Sequence, residues 1–157
     1  GQNFMLEHPD AVLVLGNPLE RRVCLPQLFM IDADAWLRND RLQEEVFGPL
    51  GLIVKARSVE QMEDLARALP GQLTVTIHLD DSDYPAAQAL LPALRRKAGR
   101  ILLNGFPTGV EVCDSMVHGG PYPASTNFGH TSVGSMAIRR WLRPVCYQNF
   151  PDRLLPR

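Results

Sequence analysis

An α/β domain built on parallel strands is the fold class this sequence predicts, and three observations carry the prediction. Apolar, β-branched runs recur at 51–57 (GLIVKAR), 73–79 (LTVTIHL) and 98–104 (AGRILLN). Helix-period stretches with their own start signals separate them. The 157 residues suit one domain with a single core. Strand, helix, strand, helix, strand at this spacing implies a parallel sheet with crossover helices.

In chain order, VCLPQLFMI (23–31) reads as a strand in which Pro26 marks an edge or a start. Asp32 is placed to cap a short helix through Trp36 and Leu37, followed by a polar stretch from Arg38 to Gln43. After strand 51–57, Ser58 and Gln61 form a capping-box pattern. The helix it opens carries Val59, Met62, Leu65, Ala66 and Leu69 on one face and stops at Pro70-Gly71. Strand 73–79 holds His78, expected as a hydrogen-bonded sheet residue. In the next helix Leu90, Leu91 and Leu94 make the apolar stripe, and Pro92 is expected to kink or limit it.

Beyond Asn104 the periodicity fades into a Gly- and Pro-rich stretch, 105–130, of a length that is uncommon unless functional or interfacial. Ser132 to Trp141 then looks helical. RPVCYQNF (143–150) looks like a terminal strand with no hairpin partner nearby, so its partner must be distant or on another chain.

Sixteen basic against seventeen acidic side chains leave a net charge of −1, which offers no field for nucleic acid or anionic lipid. No apolar run reaches bilayer-spanning length, and the first residues lack a signal-peptide pattern. Three scattered cysteines, Cys24, Cys113 and Cys146, suggest free thiols in a reducing compartment, with the cytoplasm as the expected location.

Several constellations carry little chemistry. Cys113 and His118 supply two ligand types but no second pair at finger spacing, so no metal is expected. Asp114, Ser115 and His118 are the residue types of a hydrolytic triad, yet the strand-turn-helix elbow around the serine is missing. No dinucleotide or P-loop glycine pattern occurs. EEVFGPLGL (44–52) is different: two carboxylates run into an apolar pair and a Gly-Pro break. A carboxylate beside an aromatic ring offers acceptors for ribose hydroxyls and a flat apolar face for a base or nicotinamide. The alternative is an acidic helix end whose Phe47 plugs the core.

LQEEVFGP (42–49) resembles the E-E-x-F-G-P signature of the aldehyde dehydrogenase superfamily. In the same order, AGRILLNG (98–105) resembles that family's A-G-x-x-x-x-N strand, and VHGGPYPAS (117–125) its P-F-G-G-x-K-x-S loop. The agreement runs from about residue 22 to the C-terminus, and the block 104–151 is most similar to members acting on α-ketoglutaric semialdehyde. The resemblance implies a fragment of a three-layer, parallel-sheet catalytic domain over 1–142, with 143–157 as an oligomerisation tail. It implies an NAD or NADP cofactor, with Glu45 accepting from the nicotinamide ribose and Phe47 positioning the ring. Asn104, Phe106, His118, Gly119 and Gly120 are implied near the mouth of the aldehyde pocket. His118 stands where the family more often has Phe, and Pro121-Tyr122-Pro123 departs from the usual loop.

In this family a cysteine attacks the aldehyde, hydride passes to NAD(P)+, and a glutamate-activated water hydrolyses the thioester. Neither residue is matched here, so the resemblance places both upstream and implies an inactive segment whose partners are the remainder of the enzyme, a small aldehyde and further copies of the chain. The competing expectation is a stand-alone binding or assembly module on the same scaffold.

Overall fold

The computed structural model describes residues 2–16 and 25–156. Helix α1 (Gln2–Glu7) and strand β1 (Val12–Leu15) open the chain. Strand β2 (Gln27–Asp32) leads into a short α2 (Ala33–Leu37) and a 3-10 turn, Asp40–Gln43. Then come β3 (Leu50–Lys55), α3 (Val59–Ala68), β4 (Gln72–Ile77), α4 (Tyr84–Leu94) and β5 (Ala98–Leu103). The alternation of strand and helix is the one the sequence predicts. Val23 and Cys24, at the start of the expected 23–31 strand, lie outside the described residues.

The strands fall into two sheets among the described residues, β1-β2-β3 and β4-β5. Both predicted parallel ladders form, with Phe29 opposite Leu52 and Val75 opposite Ile101. Two features differ from the single sheet the spacing suggests. The ladder does not pass from β3 to β4, and β1 pairs antiparallel with β2. Apolar periodicity identifies a strand but not its neighbour, so the break leaves no trace in the sequence pattern.

Alternation on β2 puts Phe29 and Ile31 on one face, where both are fully buried with Met5, Trp36 and Leu42. A second cluster gathers Ala66, Ala93 and Leu94 over β4 and β5. Helix α3 belongs to both: Leu65, Ala68 and Leu69 pack on the first cluster and Ala66 on the second. Val59 and Met62, expected on its inner face, are instead exposed.

Of the two predicted caps, Ser58 on α3 holds, with a different partner for Gln61, and Asp32 on α2 does not. The Ser58 hydroxyl accepts from the Gln61 N–H at 3.3 Å, while Gln61 Oε1 accepts from the N–H of Arg57 at 2.9 Å. Its amide nitrogen donates to Asp34 at 2.7 Å, tying α3 to α2. At the same helix end the Glu60 carboxyl is held below the ordinary carboxylate range by its own backbone N–H, and secondarily by Ser58. Asp32 occupies the N-cap position of α2 but makes no side-chain cap bond, because Lys55, its ladder partner, holds it at 2.9 Å. Helix α4 starts with Pro85 in its first turn and continues past Pro92 to Leu94.

The C-terminal segment departs most from expectation. Residues Ser135–Trp141 form a 3-10 run, not an α-helix, and they have no buried face. With its apolar side chains Ile138 and Trp141 left exposed, a stretch this short gains no burial to offset the cost of helix nucleation. Among the described residues no ladder forms at 143–150, and Trp141, Leu142, Val145, Tyr147 and Phe150 are exposed.

Loop residues 119–121 lie with their backbone directly on the starting ends of β4 and β5. A Cβ added at Gly99 would collide with the carbonyl of Gly119, one at Gly71 with that of Pro121, and one at Gly120 with that of Gln72. Gly99→Ala is therefore expected to cost on the order of 1–3 kcal/mol. Gly109, with open space around its Cβ position, is the control: Gly109→Ala should stay within about 0.5 kcal/mol. Urea midpoints at unchanged m-value would check both.

Candidate functional site

The turn after Asp40–Gln43 is built to hold side chains outward. Asn39 starts the 3-10 turn, accepting from the Arg41 N–H at 3.2 Å, and Leu42 anchors it in the core. Glu44 ends it in an extended conformation. Gly48 follows at φ +141, a region closed to L side chains. Its carbonyl accepts from Leu50, and the carbonyl of Pro49 accepts from Gln27 at 2.9 Å, fastening the turn to the starts of β3 and β2.

Glu44, Glu45 and Phe47 all face solvent, Phe47 at 90% exposure. That overturns the reading of Phe47 as a core plug; Leu42, 5% exposed, fills that role. Glu44 and Glu45 border two recesses. One, of about 440 Å³, is shared with Phe4 and Met5 of the first core and with the exposed Arg41. The other, of about 730 Å³, extends to Pro70–Thr74 and to Pro123 and Ala124. Neither carboxylate has an ion-pair partner among the described residues. Two free acceptors and an exposed ring on one pinned turn fit a ribose diol joined to a flat heteroaromatic.

The five residues implied for the aldehyde pocket do not form one cluster. Asn104 and Phe106 follow the end of β5, whereas Gly119 and Gly120 pack against the starts of β5 and β4. Five strand residues, roughly 16 Å, separate Gly99 from Asn104. Gly119 and Gly120 are buried; His118 is exposed, and its backbone N–H donates to Thr131 at 3.0 Å. The Gly119–Gly120 segment thus closes the same end of β4 that borders the Glu45 recess.

Asn104 has a role its sequence context does not reveal. Its φ is +49, and its side-chain amide clamps Leu79 from both sides: the Leu79 N–H donates to Oδ1 at 2.8 Å, and Nδ2 donates to the Leu79 carbonyl at 2.9 Å. With the Asn104 N–H donating to Ile77, the amide extends the β4-β5 ladder past its last backbone pair. His78, just beyond β4, is not a ladder residue; its ring packs on Phe106 at a centroid distance of 5.7 Å. The hydrolytic types do not converge either. Asp114 bonds Ser135, and Ser115 lies beside Cys113. Among the described residues no three His, Cys, Asp or Glu side chains group as metal ligands.

No family model matches the chain. Alpha-ketoglutaric semialdehyde dehydrogenase 2 of Azospirillum brasilense is 57% identical over 129 residues, 82% of this chain and 25% of that protein. Alpha-ketoglutaric semialdehyde dehydrogenase of Acinetobacter baylyi is 53% identical over 132 residues, 83% of this chain and 25% of that one. The chain spans about a quarter of the length of the curated relatives it matches. Among solved structures, the Δ-pyrroline-5-carboxylate dehydrogenase of Mycobacterium tuberculosis bound with NAD superposes with a TM-score of 0.60 at 17% identity, over 98% of this chain and 29% of that one. The betaine aldehyde dehydrogenase of Staphylococcus aureus in complex with NAD+ gives 0.61 at 18%, over 90% and 29%. These two likenesses establish the fold.

Exposure separates a displayed ring from a structural one. Phe47→Ala is expected to leave the stability of the chain within about 0.5 kcal/mol, while Phe29→Ala should cost about 3–5 kcal/mol. Asn104→Ala, which removes two solvent-accessible hydrogen bonds to the Leu79 backbone, should cost about 0.5–1.5 kcal/mol. Denaturant titration of the three variants would check the order.

Proposed function

We propose that this chain, a relative in sequence and fold of the aldehyde dehydrogenases, is a working part of an enzyme that oxidises α-ketoglutaric semialdehyde to the carboxylate with NAD+ or NADP+. The observation that carries the proposal is the 57% identity over 129 residues to an enzyme named for that substrate. The superposition on two NAD-bound dehydrogenases supports the cofactor class.

In this reading Glu45 accepts hydrogen bonds from the ribose hydroxyls, and Phe47 presents its exposed face to the nicotinamide. Gly48 and Pro49 pin the backbone of this turn to β2 and β3, which supports a site whose main chain needs little ordering on binding. When bound, the cofactor supplies the hydride acceptor. Asn104 and Phe106 border the approach of the aldehyde at the ends of β4 and β5, while Gly119 and Gly120, roughly 16 Å away, close the strand starts beside the Glu45 recess and do not share that border. The nucleophilic cysteine and the general-base glutamate come from the remainder of the enzyme, since Cys113 and Cys146 are exposed thiols with no base positioned beside them among the described residues.

The tail completes the proposal. Exposed apolar side chains from Trp141 to Phe150, in a segment that no strand pairs among the described residues, support a subunit contact between copies of the enzyme. The free thiols agree with a reducing, cytoplasmic setting. No helix among the described residues is long and apolar enough to cross a membrane.

Three outcomes are expected. The 157-residue chain by itself forms no aldehyde-dependent NAD(P)H; turnover that disappears with Cys24, Cys113 or Cys146 changed to Ser would overturn the assignment of the nucleophile to another part of the enzyme. In the whole enzyme Glu45→Gln should weaken the cofactor complex or slow single-turnover hydride transfer by about 1.5–3 kcal/mol, the value of hydrogen bonds to a charged acceptor. Unchanged cofactor KM together with an unchanged single-turnover rate would remove the ribose role. Sedimentation should find the chain self-associated at tens of micromolar; a soluble monomer with the tail intact would refute the subunit contact.

A further inference from the structure

The carboxyl ends of parallel strands are where open α/β sheets bind ligands, and at the ends of β4 and β5 two rings meet. His78 follows the last residue of β4, and Phe106 lies three residues past the end of β5. Their centroids are 5.7 Å apart with the planes inclined at 51°, inside the range in which aromatic pairs attract. The approach is not a chance of two mobile loops. The Asn104 amide grips Leu79, the residue after His78, from both sides, and Asn104 itself stands two residues before Phe106. One side chain thereby sets the offset of both ring-bearing segments. A second tie acts further along: Arg100 donates to the carbonyl of Gly109 at 2.6 Å, holding the far side of the loop that carries Phe106. Phe106 remains 77% exposed, so the packed pair still offers most of one ring to a ligand.

We propose that His78 is a positioning residue for the aldehyde site: its ring holds Phe106 at the angle in which Phe106 borders the incoming aldehyde, and it acts through Phe106 without touching the reacting atoms. This rests on the placement of Phe106 beside the aldehyde proposed above. It goes further by giving a function to a histidine at the end of a strand, and by assigning that function to the flat ring and not to the imidazole nitrogens. The carbon framework of the substrate, not its reacting carbonyl, is what a displaced Phe106 would cease to orient.

The test is a double-mutant cycle in the whole enzyme with α-ketoglutaric semialdehyde, using His78→Ala, Phe106→Ala and the double variant. A second readout is the Kd of the product dicarboxylate by calorimetry, which needs no turnover. The expected result is an aldehyde KM raised about three- to ten-fold by His78→Ala, the scale of one aromatic pair. The product Kd should rise in parallel, while kcat and cofactor KM move less than two-fold. Adding His78→Ala to Phe106→Ala should then change nothing further, and His78→Phe should restore KM to within two-fold. If Phe106→Ala leaves aldehyde KM and product Kd unaltered, the placement of Phe106 fails and this inference fails with it. If Phe106→Ala raises both but His78→Ala does not, or the two effects multiply independently, the placement stands and the positioning role is overturned. Failure of His78→Phe to rescue where His78→Ala is impaired would overturn the ring-packing basis in favour of an imidazole hydrogen bond.

Discussion

Backbone resting on backbone is the constraint from which the second half of the fold takes its form. Where 119–121 crosses the starts of β4 and β5, carbonyls of one segment occupy the space a Cβ would need on the other, and Gly71, Gly99 and Gly120 leave that space empty. Contact this close fixes the loop's height above the sheet. Ser125 secures the loop's return, its hydroxyl donating to the Gly120 carbonyl at 2.6 Å while accepting from the Gly120 N–H at 3.0 Å. The wall thus formed, with Pro123 and Ala124, bounds the recess that Glu44 and Glu45 enter from the other sheet. Part of the geometry around the carboxylates is therefore set by a loop distant in the sequence that docks through glycines.

The two sheets are joined by a helix that serves two cores. Leu65 and Ala66 are neighbours in sequence and therefore point to different sides of α3, one into each cluster. Its start is fixed by Ser58 and Gln61, and Gln61 is itself fixed to Asp34, which also holds Arg57 in an exposed ion pair at 2.7 Å. The exposed ion pair by itself contributes little. Its value is that three polar contacts converge on one helix end and together fix the orientation of α3 against α2.

Local signals were legible in the sequence and long-range ones were not. Ser58-Val59-Glu60-Gln61 announced the start of α3, and Pro70-Gly71 announced its end, because both act within one turn of the chain. The β-branched runs fixed four of the five strands and the parallel direction of their ladders. The break between β3 and β4, and the antiparallel β1, depend on which edges meet, and periodicity carries no such information. Similarly, the carboxylate-aromatic adjacency in EEVFGP pointed to a display turn, and the exposure of Phe47 agrees with it. The clamp by Asn104 could not be read, since its partner Leu79 lies twenty-five positions upstream. RPVCYQNF shows the converse: its apolar character suggested a strand, but a strand needs a neighbour, and among the described residues none pairs with it.

The amide clamp also bears on how the protein ages. Asn104 is followed by Gly105, the pairing in which a backbone nitrogen most readily attacks the preceding side-chain carbonyl, expels ammonia and, after ring opening by water, leaves a carboxylate or its iso-linked form. In the folded chain that carbonyl is engaged by the Leu79 N–H and the amide nitrogen by the Leu79 carbonyl, so the side chain is held away from the rotation the attack requires. Once the reaction has occurred, the donor to Leu79 is gone and a negative charge faces a carbonyl oxygen instead. Intact, the clamp protects itself; a chain that spends time open there loses it irreversibly, so chemical lifetime at this one residue records how often the ends of β4 and β5 come apart.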